Sequence, residues 1–212
     1  MDQIQERKKV VLGKYYSYWT EHSPRRLLYH LAYYKFAAKI VGRGRRVLDV
    51  GCNEGMGTQL LAKECGFAQG IDFDEYAICQ AKKNWSNENT EFVCDDIFRH
   101  PSGQWDAVIS FDVIEHILPE NMDTWWECIS ENLVHDGIAI IGSPSLSSKK
   151  YASEITNRGH VNLYCAERLE KEIRSYFSHV FLFSANDEVI HTGFFPLAHY
   201  YIALCCQKKN NK

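Results

Sequence analysis

The stretch Arg46-Val47-Leu48-Asp49-Val50-Gly51-Cys52-Asn53-Glu54-Gly55-Met56-Gly57 decides the fold of this chain. An apolar strand runs into a glycine-rich turn, and a helix follows. Twenty-one residues past Gly51 stands an acid, Asp72, closing a second strand, Ala68-Gln69-Gly70-Ile71-Asp72. A doubly wound α/β sheet builds a nucleoside pocket from these parts. Glycine lets the backbone approach a ligand without a Cβ clash. An acid at the end of the second strand can accept two hydroxyl hydrogen bonds from a ribose.

The spacing selects the nucleoside. A dinucleotide fingerprint reads G-x-G-x-x-G and rests a pyrophosphate on the helix N-terminus. Here the order is Gly51-x-x-x-Gly55-x-Gly57, and Asp49 sits two residues before the first glycine. An acid there repels a pyrophosphate and suits an ammonium or sulfonium group. The run Asp49 to Gly55 resembles the first motif, (D/E)-x-G-x-G-x-G, of the class I S-adenosylmethionine (SAM)-dependent methyltransferases, in particular those of small-molecule type. Asn53 replaces the middle glycine; asparagine tolerates left-handed backbone better than most residues.

The rest of the chain reads as alternating elements. Helices are expected over 3–20 and 24–41, the second with Ser23 as N-cap and Pro24 at its first position. Strands are expected at 46–50, 68–72, 91–94, 105–111, 137–142, 179–184 and near 198–206. Helices fall at 57–65, 74–85, 120–133 and 166–176. An irregular segment covers 143–164 and a polar loop 185–192. The pattern predicts an α/β three-layer sandwich around a mostly parallel seven-stranded sheet. Its last two strands follow one another without a helix, which resembles the terminal antiparallel strand of the class I methyltransferase fold. One domain is expected over 1–212, with 1–44 a helical cap and 45–207 the Rossmann-like core.

The resemblance implies a cofactor site for SAM, with S-adenosyl-L-homocysteine (SAH) as product. Asp49, Gly51, Cys52, Asn53 and Gly55 would approach the methionine moiety, Asp72 the ribose, and Phe73 the adenine. Asp95 or Asp96, in Cys94-Asp95-Asp96-Ile97, would accept from the adenine amine, and Ile97 would cover a ring face. Phe111 and Asp112, in Ser110-Phe111-Asp112-Val113-Ile114-Glu115-His116, would stand beside the methyl group. Each part has a plainer reading alone: loop acids for Asp95 and Asp96, a helix N-cap for Asp72. Their ordered placement at successive strand ends favours the pocket.

Methyl transfer from a sulfonium is an in-line displacement, so the enzyme mainly aligns nucleophile and methyl group. A neutral oxygen or amine must also lose a proton, and histidine suits that near neutral pH. Three histidines fall near the expected pocket: His160, His116 and His191, in that order of preference; a structural histidine bonded to a carbonyl is the plainer reading of each. In the segment 15–26, aromatics alternate with polar residues and two arginines follow. Tyr16, His22 and Arg25 there, with Asn162 and Tyr164 beside His160, are candidate substrate contacts. No carboxylate–histidine cluster is readable, and no metal is expected.

Composition narrows the partners. The 212 residues are 45% apolar, and no stretch is long enough for a membrane helix. No apolar signal region opens the chain. Eight scattered cysteines without a C-x-x-C pair point to reduced thiols and a cytoplasmic setting. Residues 1–46 hold 11 Lys/Arg against 3 Asp/Glu, a net of +8; the whole chain carries −3, so the remainder carries −11. This basic segment reads most plainly as a solvated helical face, and otherwise as attraction for an anionic substrate. Nucleic-acid binding favours a more basic domain. No N/D-P-P-Y/F or Pro-Cys device follows the fourth strand. The compact size and the stretch Asp112-Val113-Ile114-Glu115-His116 resemble small-molecule methyltransferases, including those acting on quinones, sugars and natural products. This resemblance, with Asp187-Glu188 and His191-Thr192 suited to a hydroxyl-rich partner, implies a small-molecule or glycan-type acceptor methylated on oxygen. An RNA or protein methyltransferase and a non-catalytic SAM-binding subunit remain as alternatives.

Overall fold

The computed structural model describes residues 9–193 and 195–209. Strand β1 (Arg45–Val50) sits centrally, between β2 (Gly66–Asp72) and β4 (Trp105–Phe111), parallel to both. Its side chains alternate between two buried clusters: Val47 joins one, and Leu48 and Val50 the other. This period-two division makes both faces of the strand core. Strand β3 (Thr90–Cys94) adds parallel to β2, and β5 (Leu133–Pro144) parallel to β4.

Beyond β5 the direction reverses. Strand β8 (Tyr200–Lys208) runs antiparallel between β5 and β6 (Phe177–Ala185). A short strand β7 (Ile190–His191) closes the edge, giving eight strands in the order β3-β2-β1-β4-β5-β8-β6-β7. The expected seven are therefore joined by one two-residue strand, made where the loop 185–192 folds back on β6. The order reverses between β1 and β4, and an open α/β sheet forms its ligand crevice beyond the strand ends at such a switch.

Helices fill both faces. On one, α2 (Pro24–Val41) and α3 (Met56–Cys65) bury Tyr33, Tyr34, Ala37 and Leu61 against β1 and β4. On the other, α5 (Met122–Glu131) and α7 (Ala166–Ile173) bury Trp125, Trp126, Ile129, Leu169 and Ile173. Helix α4 (Glu75–Trp85) is capped by Asp74, whose carboxylate accepts the Tyr76 and Ala77 amides at 2.9 and 3.2 Å.

Several boundaries differ from the sequence reading. The first helix, expected over 3–20, is α1 (Lys14–His22); residues 9–13 are not helical, and 1–8 lie outside the described residues. Ser23 makes no side-chain cap; its amide instead closes α1 on the Trp19 carbonyl at 2.9 Å, while Pro24 opens α2 as expected. The segment 143–164 is not irregular throughout: a 3-10 helix (Leu146–Tyr151) and α6 (Glu154–Gly159) form there. Ser145 and Ser153 start them by accepting the Ser148 and Thr156 amides at 3.2 and 3.1 Å. No described helix is long and apolar enough to cross a membrane.

Candidate active site

The glycine loop between β1 and α3 follows from its φ angles. Gly51 and Gly55 adopt φ of +80° and +81°, and Asn53 adopts +50°. These left-handed turns favour glycine, and asparagine among the rest. At Gly51 a Cβ would lie 2.3 Å from Val113 Cγ2, so the loop after β4 presses directly on this loop. Asp72 braces it from the other side. Its Oδ2 accepts the Asn53 amide and its Oδ1 the Asp74 amide, both at 2.9 Å. Burial raises the Asp72 pKa above the usual carboxylate value, with backbone donors opposing that shift.

A cavity of about 590 Å³ opens at these strand ends, within the range of small-molecule and cofactor sites. Gly51, Asn53, Asp72, Phe73, Asp95, Asp96, Ile97 and Asp112 all line it, so eight of the twelve residues proposed for the cofactor meet there. Phe73 is 82% exposed at its edge. Asp95 accepts the Asp96 amide at 2.8 Å and pairs with His100 Nδ1 at 2.9 Å, a contact that lowers the Asp95 pKa.

The other four lie behind the wall. Cys52 is buried among Ile78, Ala81 and Phe92. Gly55 is the N-cap of α3 and backs onto the Phe92 ring. Phe111 packs edge-on to Tyr34, 5.1 Å between centroids. Asp49 is fully buried, its two oxygens accepting from Tyr34 Oη at 2.9 Å and Thr58 Oγ1 at 2.5 Å. Burial pushes its pKa up to about 7, against those two donors.

A second cavity, about 390 Å³, adjoins the first; Asp112, at φ +58°, lines both. One face of α2 forms its wall through Arg26, Tyr29, His30 and Tyr33, spaced at helical repeats. His160, Tyr151 and Tyr200 lie opposite. This helical phase separates the two arginines: Arg25, the candidate contact, is exposed elsewhere, while Arg26 reaches the cavity and lies over the Trp19 ring at 4.7 Å. His22 also points away, stacked on Tyr18 at 4.5 Å. Tyr16 is buried, with its hydroxyl 3.4 Å from His30 Nε2. Asn162 and Tyr164 are buried too, bonded to each other and then to Arg168 and Glu172. His191 is exposed on β7 against Ser184, because the hairpin carries it to the sheet edge.

Two of the three histidines do meet. His116 lines the larger cavity and His160 the smaller, with rings edge to face at 5.0 Å. Burial, then the neighbouring His116, lowers the His160 pKa. Glu115 joins them: it, His116 and His160 each offer a ligand atom within 4.8 Å of the others. This carboxylate–histidine cluster was not readable in the sequence, because it forms only where the 3-10 turn after β4 and the end of α6 converge.

Residues missed by sequence reading complete the larger cavity. Glu54, inside the glycine loop and buried, accepts the Tyr15 amide at 3.0 Å and the Tyr16 amide at 3.2 Å. It thereby satisfies two orphan donors of α1 and lays that helix over the loop. Tyr15 then lines the cavity, its hydroxyl 2.6 Å from Asp74 Oδ2. An acid within the glycine loop was the available signal.

Fold and cavity together define a class I SAM-dependent methyltransferase. The family described as "Methyltransferase domain" matches residues 19–186, and the chain belongs to it. Its cofactor is SAM. The ubiquinone biosynthesis O-methyltransferase of Coxiella burnetii is 30% identical over 83 residues, 37% of this chain and 36% of that protein. The cyclopropane-fatty-acyl-phospholipid synthase of Escherichia coli is 27% identical over 108 residues, 50% of this chain and 28% of that protein. The chain thus spans about a third or less of these relatives' lengths. Among solved structures, a TehB-like SAM-dependent methyltransferase from Corynebacterium glutamicum superposes with a TM-score of 0.65 at 21% identity, covering 85% of this chain and 88% of that one. The DhpI–SAH complex gives 0.66 at 17%, covering 92% of both chains.

Proposed function

We propose that this chain is a single-domain enzyme, a helical cap (1–44) on a SAM-binding core (45–207), that transfers the SAM methyl group to a hydroxyl of a small polar acceptor. A sugar, glycan precursor or related bacterial metabolite is the favoured class. SAM occupies the larger cavity, with its ribose on Asp72 and its adenine between Phe73 and Ile97, and with Asp95 or Asp96 at the base edge. The acceptor enters the smaller cavity, where tyrosines offer flat faces and Arg26 and Lys149 offer charge. The observation that carries this reading is the junction of the two cavities at Asp112, flanked by His116 and His160. A transferring methyl group needs cofactor and nucleophile on either side of one point. The histidine pair and Glu115 activate the acceptor oxygen there. The unpaired state of all eight cysteines supports a cytoplasmic setting.

A phenolic acceptor is the second reading. Tyr33 and Tyr200 stack at 4.5 Å on the wall of the smaller cavity, and a relative carries the name of a ubiquinone biosynthesis O-methyltransferase. Incubation with methyl-labelled SAM and a fractionated bacterial extract tests both. Label in the glycan or sugar fraction supports the first and label in a phenolic fraction the second; label confined to RNA or protein overturns both.

A further inference from the structure

Glu115 poses a problem that hydrogen bonding does not solve. Its side chain is 1% exposed. Oε2 accepts from Ser143 Oγ at 3.3 Å, but Oε1 is buried without a hydrogen-bond partner. A buried carboxylate oxygen left unpaired is costly. It faces His116 Nε2 at 4.0 Å, too far for a hydrogen bond. His116 cannot turn to help, because its Nδ1 lies 2.8 Å from the Gly159 carbonyl oxygen. A carbonyl only accepts, so Nδ1 carries the hydrogen, and in the neutral ring Nε2, the nitrogen nearer Glu115, is the one free to ligate. His160 brings a third donor within 4.8 Å of both.

We propose that Glu115, His116 and His160 hold a divalent first-row transition metal ion at the junction of the two cavities. Metal–nitrogen and metal–carboxylate bonds are about 2.0–2.2 Å, so two ligands of one ion sit roughly 3–4 Å apart. The three donors reach that with side-chain movements of about an ångström. The second shell is already formed: the Gly159 carbonyl orients His116, Ser143 orients Glu115, and the Asn162 amide holds the Glu115 backbone carbonyl at 3.0 Å. A mixed imidazole and carboxylate set suits Mn²⁺, Fe²⁺, Co²⁺ or Zn²⁺ better than Mg²⁺ or Ca²⁺, which prefer oxygen alone.

Three protein ligands leave positions open for the acceptor. The role, though not the existence, of the ion rests on the methyl-transfer reading. An acceptor with two neighbouring hydroxyls chelates there, and the ion lowers the pKa of the bound hydroxyl. That O–H bond breaks, its proton leaves to solvent, and the oxygen lone pair forms the new O–C bond. The S–C bond of SAM breaks with its electrons passing to sulfur, leaving SAH.

Calorimetry and bound-metal analysis test the site without turnover, using Mn²⁺ and Zn²⁺ on the wild type, Glu115→Gln and His160→Ala, each with SAH affinity measured in parallel. His160 is half-buried just past the end of α6, outside any helix or strand, so its variant keeps the fold. The expected result is one ion per wild-type chain, with affinity at least tenfold lower in His160→Ala while SAH binding is retained. No saturable binding of either ion to the wild type, or unchanged affinity in both variants, overturns the site. Metal binding without any SAH binding would instead overturn the cofactor reading alone.

Discussion

Asp72 and Asn53 are joined across 19 residues by a 2.9 Å hydrogen bond from the Asn53 amide to Asp72 Oδ2. The carboxylate assigned to the ribose is therefore also a strut of the glycine loop. Asp72→Ala removes both the ribose acceptor and the strut. Hydrogen bonds to a charged group contribute about 1.5–3 kcal/mol, so SAH affinity should fall roughly 10- to 100-fold. Unchanged affinity by calorimetry contradicts the ribose assignment.

Glu54 ties α1 to the same loop. In Glu54→Ala the Tyr15 and Tyr16 amides lose their acceptor. Loss of a helix cap costs about 1 kcal/mol, and stranding a buried donor roughly 1–3 kcal/mol. Hydrogen exchange at those two amides should accelerate, and SAH binding should weaken as Tyr15 leaves the cavity wall. Wild-type exchange at both amides would show that α1 is held by other contacts.

Asp49 predicts a pH dependence. Burial holds its folded pKa at about 7, above the ordinary carboxylate value of 3.8. Between those values the folded chain holds more protons than the unfolded chain, so this group's contribution to stability falls as pH rises through that window and then levels. A cationic cofactor favours ionised Asp49, so SAM affinity should rise from pH 6 to 8 in the wild type. Asp49→Asn should remove that part of the rise. Identical pH profiles for the two proteins would show that Asp49 does not sense the cofactor's charge.

His160→Ala should lower transfer by roughly 10²–10⁴-fold, the usual contribution of a group that activates a nucleophile, while SAH affinity stays unchanged. Transfer at the wild-type rate would remove His160 from the chemistry. His191→Ala, on the exposed edge strand, should leave transfer intact.

Local features were legible in the sequence and tertiary ones were not. The glycine loop, Asp72 and the acids after β3 each sit at a strand end, where chain order and sheet topology suffice to group them. Asp49 was correctly singled out as an acid in the strand, but not its burial against Tyr34 and Thr58, which depends on how α2 and α3 pack. Arg26 rather than Arg25 faces the smaller cavity because of helical phase, which only the docking of α2 fixes. Tyr164 resembled a pocket residue by its nearness to His160, yet an isolated bridge to Ser145 draws it into the core. Glu115 and His160 are 45 positions apart, and their convergence depends on a turn and a short helix within a stretch that has no clear periodicity.

A crystal structure with SAH bound tests the central claim most directly. The ribose hydroxyls should lie on Asp72, the adenine beside Ile97, and the sulfur should be directed at Asp112, with the smaller cavity open beyond it. SAH bound elsewhere, or with its sulfur turned away from Asp112 and the His116–His160 pair, would contradict it.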